Sequence, residues 1–274
     1  MKKAALCILW VSALFALFPC VYLLGCSFMS PQEVLAYYSS EQSNFLFHLW
    51  PDMLTLSSYY QVFLRRPDYL IKFWNSLFLA GAIAALQTVI SIFAGFALSK
   101  LFVPFKKAIV FLIVLMMLMP LQVSLVSNYI ILNKLALLGS SWSLILPMAF
   151  SAFGVFLMYQ CFNDLPDELI EAARLDSANY PAVLRFVAAP CAAHGWGTVA
   201  VLSFIDAWNM VEQPLIFLQS EQKYPISVFL ASNLEKNLSL SFVCGMLALL
   251  FPFLLFLFFR DELLRGIGET NLKR

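Results

Sequence analysis

Charge is what this chain has least of: 12% of its residues are Asp, Glu, Lys or Arg, about half the share in a soluble globular domain. With 62% hydrophobic residues, that scarcity excludes an ordinary soluble domain and makes lipid the expected surroundings. Catalytic signatures are missing as well. The sequence holds no Gly-x-x-x-x-Gly-Lys-Ser/Thr phosphate loop, no Gly-rich dinucleotide fingerprint, no His-Glu-x-x-His and no nucleophile elbow. It therefore has no engine of its own, and no catalytic residue or resident cofactor is assigned. Cysteines stand at 7, 20, 26, 161, 191 and 244 without a Cys-x-x-Cys pair or a neighbouring histidine cluster. Packed thiols are expected there, with no metal and no disulfide. His194 has no Cys, His or carboxylate cluster beside it in sequence and reads as a helix-end residue.

What is present is a series of uncharged windows: Ala4 to Pro31, Phe73 to Ser99, Ala108 to Asn133, Leu135 to Asn163, Phe186 to Ile205 and Asn237 to Phe259. Each reaches about 20 residues, enough at 1.5 Å per residue to cross a hydrocarbon core of about 30 Å. Backbone polar groups cannot stay unpaired in lipid, so these windows predict six transmembrane helices in an all-α integral membrane fold. The expected organisation is a first transmembrane helix at 1–28, an external amphipathic segment at 29–71, a five-helix core at 72–260 and a tail at 261–274. Met1-Lys2-Lys3 and Leu23-Leu24-Gly25-Cys26 have the outline of a lipoprotein signal. The apolar stretch is longer than the roughly 7–15 residues of such a signal, and Leu24 suits that cleavage motif poorly, so a retained helix is expected.

Orientation follows the Lys and Arg distribution, since the net charge of +1 carries little information. With the N-terminus inside, eleven basic residues fall on inner segments and six (Arg65, Arg66, Lys72, Lys134, Lys223 and Lys236) on outer ones. That bias places both termini in the cytosol. In the external segment, Leu56, Tyr59, Tyr60 and Phe63 recur at helical spacing and predict an amphipathic helix at the outer interface. Pro120 predicts a kink in the third span. Asn128, Tyr159, Gln160 and Asn209 are candidates for lining a passage for a neutral polar solute. Asp206 is an acid inside an apolar window. A straight helix would carry it about 30 Å from Arg185, near the outer surface.

The densest cluster of charge is Asp164-Leu165-Pro166-Asp167-Glu168-Leu169-Ile170-Glu171-Ala172-Ala173-Arg174-Leu175-Asp176-Ser177-Ala178, with five of the sixteen acids. By the charge count it is cytosolic. Pro166 and its acidic neighbours suit a helix N-terminus, and the Ala172-Ala173 step leaves room for another protein's surface. The order Glu171-Ala172-Ala173, then Asp176 and Ala178, then Pro190, closely resembles the signature loop of type I ABC-importer permeases, especially the maltose-type carbohydrate permeases. Phe73-Trp74-Asn75-Ser76-Leu77, Gly95 to Lys100, Trp208-Asn209 and Pro214-Leu215 are also similar to that family's patterns. Ser177 stands where the family usually has glycine, and His194 where a second proline is common.

The resemblance implies an inner-membrane subunit of a bacterial or archaeal importer, with loop 164–190 coupling it to an ATPase. Expected partners are a second permease subunit in a heterodimer, a dimer of ATP-binding subunits that holds ATP-Mg, and an external solute-binding protein, with no nucleic acid. Glu171 is expected to make a polar contact with the ATPase, Ala172 and Ala173 to pack closely against it, and Asp176 with Ser177 to shape the turn. The solute expected is a sugar or oligosaccharide. A polyamine, a peptide or a phosphodiester is the alternative within the family, and an ion-coupled carrier or a scaffold that moves nothing stands outside it.

Overall fold

The computed structural model describes residues 2–38, 48, 50–65, 68–176, 179–233 and 237–260, with side chains from residue 6 onward except Asn233. Among the described residues every regular element is helical. Three helices are long and apolar enough to cross a membrane unaided: Leu6–Ser27, Asp68–Lys100 and Leu238–Phe258. Three further candidates are pairs of helices bent at short breaks: Lys106–Met117 with Leu121–Lys134 by 100°, Trp142–Met148 with Ala152–Asn163 by 41°, and Tyr180–Cys191 with Ala193–Trp208 by 81°. Three of the six uncharged windows are therefore broken rods. Pro120 predicts the first of these breaks; the sizes of the bends are not legible from composition.

The chain divides into two compact units. The first comprises Met1–Trp74 and Ile226–Phe253. Its helix Pro31–Tyr38 begins with proline after Ser30, and Ser30 and Glu33 cap each other: the Glu33 N–H donates to Ser30 Oγ at 3.1 Å, and the Ser30 N–H to Glu33 Oε2 at 3.4 Å. Cys26, Met29 and Val34 form a small core, against which Tyr22, Tyr38, Leu238 and Phe242 pack. The spacing of Leu56, Tyr59, Tyr60 and Phe63 corresponds to a helix, Ser57–Tyr60, continuing into a π-helical turn, Gln61–Arg65. Tyr60 and Phe63 are exposed, as expected. Tyr59 is not on that stripe: its hydroxyl bonds Ser27 Oγ at 2.8 Å and its ring meets Phe28 at 5.4 Å.

The second unit comprises Asn75–Pro225 and Leu254–Arg274. Its helices pack through small residues, as membrane helices commonly do. A Cβ on Gly95 would lie 2.8 Å from the Tyr159 backbone nitrogen, and one on Gly195 would lie 2.5 Å from Cys161 Sγ. The breaks have local causes. Pro120 caps Leu121–Lys134, and Pro147 precedes the break before Ser151, whose hydroxyl accepts the Gly154 N–H at 3.1 Å. Gln87 Nε2 donates to the Met148 carbonyl beside that break, at 2.5 Å, supplying the partner that lipid cannot. At the third break Ala192, fully buried, adopts φ −97° and ψ 25°. This bend corrects the straight-helix reading of Asp206: the two arms add to about 24 Å from Arg185, not 30 Å. The cysteine expectation also needs correction, since Cys26 and Cys244 are buried but Cys7 and Cys191 lie exposed on their helices.

Candidate functional site

The acidic loop folds as the helix Asp167–Leu175, with Pro166 at its N-cap position in extended conformation (φ −58°, ψ 136°). Asp167 and Glu168 occupy the first turn and Arg174 the last, each on the favourable side of the helix dipole. Arg174 also lies over the Tyr180 ring, 4.5 Å from its centroid. One face of the helix is inward. Ile170, only 5% exposed, enters a core built from Phe96, Met158, Phe162, Val183, Leu184, Ala188, Ala192 and Val199, with Leu165 and Ala173 packed at its edge. Those residues come from four different helical segments, so this short helix is seated where they converge.

A basic side chain fixes the entry to the helix. Lys100, the last residue of Asp68–Lys100, has a side chain only 5% exposed, and its ammonium donates to the Leu165 carbonyl at 2.6 Å and to Asp167 Oδ1 at 2.5 Å. The hydrogen bond from Lys100, reinforced by its charge, holds the Asp167 carboxyl below its ordinary value of 3.8. The ammonium thus joins the end of a long apolar helix to the first residue of the acidic one.

The outward face carries Glu168, Glu171, Ala172 and Leu175, at the i, i+3, i+4, i+7 spacing of a single helical face. Leu175 is 87% exposed. Ala173, expected beside Ala172 on a partner-facing surface, is half-buried against the chain's own core. Asp176 ends the helix, its N–H donating to the Ala172 carbonyl at 3.3 Å, with its side chain exposed. Ser177 and the tail from residue 261 lie outside the described residues.

The four passage candidates do not form one group. Tyr159 packs against Phe156 and beneath the Lys106 ammonium, and Gln160 is exposed one residue further on. Asn209 closes the helix Ala193–Trp208 by donating to the Ile205 carbonyl at 2.9 Å. Asn128 is half-buried in Leu121–Lys134. Among the described residues no hydrogen bond joins any two of the four. A polar pair that the sequence reading passed over does form, between Gln122 Nε2 and both carboxylate oxygens of Glu212 at 3.3 Å. Lys100 and Leu175 were missed too. The signal for Leu175 was available, as a leucine four residues after Glu171 and so on the same helical face. Nothing in sequence indicated that Lys100 would reach the Leu165 carbonyl.

Comparison with known proteins agrees with this architecture. A permease of Halalkalibacterium halodurans, the arabinooligosaccharides transport system permease protein AraQ, is 23% identical over 264 residues, covering 95% of this chain and 92% of that protein. The sn-glycerol-3-phosphate transport system permease protein UgpE of Brucella melitensis is 26% identical over 203 residues, 72% of each chain. The fold matches a chain of a bacterial ABC transporter involved in the import of the acidic polysaccharide alginate, with a TM-score of 0.76 over 99% of this chain and 96% of that one, at 21% identity. Residues 87–267, which include the acidic helix and its entire seat, match the family described as binding-protein-dependent transport system inner membrane component, and the chain belongs to that family.

Proposed function

We propose that this chain is the permease subunit of an ATP-driven, binding-protein-dependent sugar or oligosaccharide importer, and that the helix Asp167–Leu175 is the surface through which it is driven. The observation that carries the coupling role is the two-sidedness of that helix. Glu171, Ala172 and Leu175 face outward, while Ile170 is sunk into a core shared by four helical segments. A subunit docked on the outer face would shift these helices together, because a packed core transmits displacement and does not absorb it. ATP-Mg would bind and be hydrolysed in that partner, and the permease would open and close a passage without covalent chemistry of its own. Both termini and the acidic helix would then lie in the cytosol, a second permease subunit would complete the passage, and an external binding protein would deliver the solute. Glu171 would supply the polar contact, Ala172 the close approach, and Asp176 with Ser177 the turn after the helix.

The sugar assignment rests on relatives named for arabinooligosaccharides and for polygalacturonan/rhamnogalacturonan. The relative named for sn-glycerol-3-phosphate favours a second reading, a small phosphorylated solute. Ala172→Arg tests the coupling role. It places a long cation on the outer face without touching the core, so the variant should insert and assemble yet lose solute uptake while ATP hydrolysis continues unlinked. Unchanged uptake in the assembled transporter would sink the docking model.

A further inference from the structure

The sequence offers no metal motif, yet the first unit brings Glu33, His48 and Asp52 together from separated positions, and we propose that these three residues form a site for a divalent transition ion of the Zn²⁺ type. One ligand atom from each converges, the three lying within 4.8 Å of one another. The nitrogen is 3.4 Å from the glutamate oxygen and 3.3 Å from the aspartate oxygen. Zn²⁺ binds nitrogen and oxygen ligands at about 2.0–2.2 Å in tetrahedral geometry, so neighbouring ligand atoms sit about 3.3–3.5 Å apart. The two carboxylates lie within 4.8 Å of each other, and both separations from the nitrogen match that edge. Nor are they good hydrogen bonds. His48 Nε2 is buried and has no aligned acceptor, so the nitrogen points between two carboxylates without being satisfied by either.

The surroundings hold the three groups in place, as supporting contacts do around built metal sites. Glu33, with a side chain 8% exposed, is oriented by its reciprocal cap with Ser30 and by the Asp52 N–H, which donates to Oε1 at 2.8 Å. The His48 ring stacks on Tyr37 with centroids 4.2 Å apart and planes 3° from parallel, and its carbonyl accepts the Tyr38 hydroxyl at 2.7 Å. The Tyr37 hydroxyl donates to Asp52 Oδ2 at 3.3 Å, which leaves Oδ1 turned toward the histidine. One imidazole and two carboxylates suit Zn²⁺ and disfavour the larger, all-oxygen coordination of Ca²⁺. Three protein ligands leave a fourth position for water. A bound ion would tie the helix Pro31–Tyr38 to His48 and Asp52 and cancel two negative charges that otherwise converge there.

The test uses the purified full-length permease, assembled with its partner subunits, stripped with a chelator and titrated with ZnCl₂ alone, with bound metal counted by mass spectrometry. One Zn²⁺ per chain is expected. Asp52→Asn and His48→Ala should each weaken binding by roughly 100-fold or more, and Tyr37→Phe by about 10-fold through loss of the contact that orients Asp52. Asp52 is exposed, so Asp52→Asn should leave assembly intact, and unchanged gel-filtration behaviour checks this. Co²⁺ in place of Zn²⁺ should give the visible absorption of a four-coordinate centre in the wild type and lose it in Asp52→Asn. Absence of stoichiometric Zn²⁺ in the wild type overturns the proposal. Equal affinity in wild type and Asp52→Asn also overturns it, by placing the ion elsewhere.

Discussion

Ile170→Ala separates the seat of the acidic helix from its outer face. The substitution removes three buried carbons from a side chain that is 5% exposed. At about 0.8 kcal/mol for each buried methylene-sized group, the loss is about 2.4 kcal/mol, at the lower end of the 2–5 kcal/mol typical of Ile→Ala in cores. The helix is short and surface-mounted, so this energy should appear as local detachment and not as global unfolding. A change of 1.4 kcal/mol is a factor of ten, and amide exchange across Asp167–Leu175 should therefore accelerate by about 50-fold. Exchange in Ala193–Trp208 should stay near its original rate. Leu175→Ala is the control. Its side chain is 87% exposed and touches little of its own chain, so exchange should be unchanged while solute moved per ATP falls. Hydrogen-exchange mass spectrometry on the assembled transporter, with uptake and ATP hydrolysis measured in the same vesicles, checks both variants. An Ile170→Ala protein whose helix exchanges as slowly as wild type would refute the idea that this side chain seats it.

Two further expectations rest on the same region. Gly95→Ala puts a carbon 2.6 Å from Met158 Cβ and 2.8 Å from backbone atoms of Met158 and Tyr159; backbone cannot step aside, so the cost should reach or exceed the 1–3 kcal/mol of ordinary overpacking, read as a lowered melting temperature in detergent. The Asp167 carboxyl is held below its ordinary 3.8 by Lys100, so its contribution is complete above that value and drains away as the pH falls from it through the lower folded value. Exchange of the acidic helix should quicken across that acidic window in wild type and show no such step in Asp167→Asn.

The sequence was most informative where chemistry is local. Pro166 followed by Asp167 and Glu168 marks a helix start in any context, and the helix begins there. Long uncharged runs likewise reveal apolar helices, because the cost of an unpaired backbone in lipid leaves little choice. What stayed hidden depended on contacts distant in the chain. The bend at Ala192 lies inside an otherwise apolar window, two residues after Pro190, and the size of its angle depends on the packing around it, so Asp206 was placed too far from Arg185. The inward turn of Ala173 required knowing where Phe96 and Phe162 would stand. The convergence of Glu33, His48 and Asp52 required the fold itself, since their spacing matches no ligand motif.

The three bends differ in what surrounds them. Those at Pro120 and Pro147 are written into the covalent chain, since a proline ring bars regular helical bonding wherever the surroundings move. The bend at Ala192 also follows a proline, Pro190 two residues earlier, but its pivot residue, unlike those at the other two, is fully buried. Alanine is the best of helix formers, and the angle there is held by burial of Ala192 in the same core that receives Ile170. That bend therefore shares its support with the acidic helix: Ala192 and Ile170 sit in one core, so of the three bends it is the one directly packed with the helix that a partner would push.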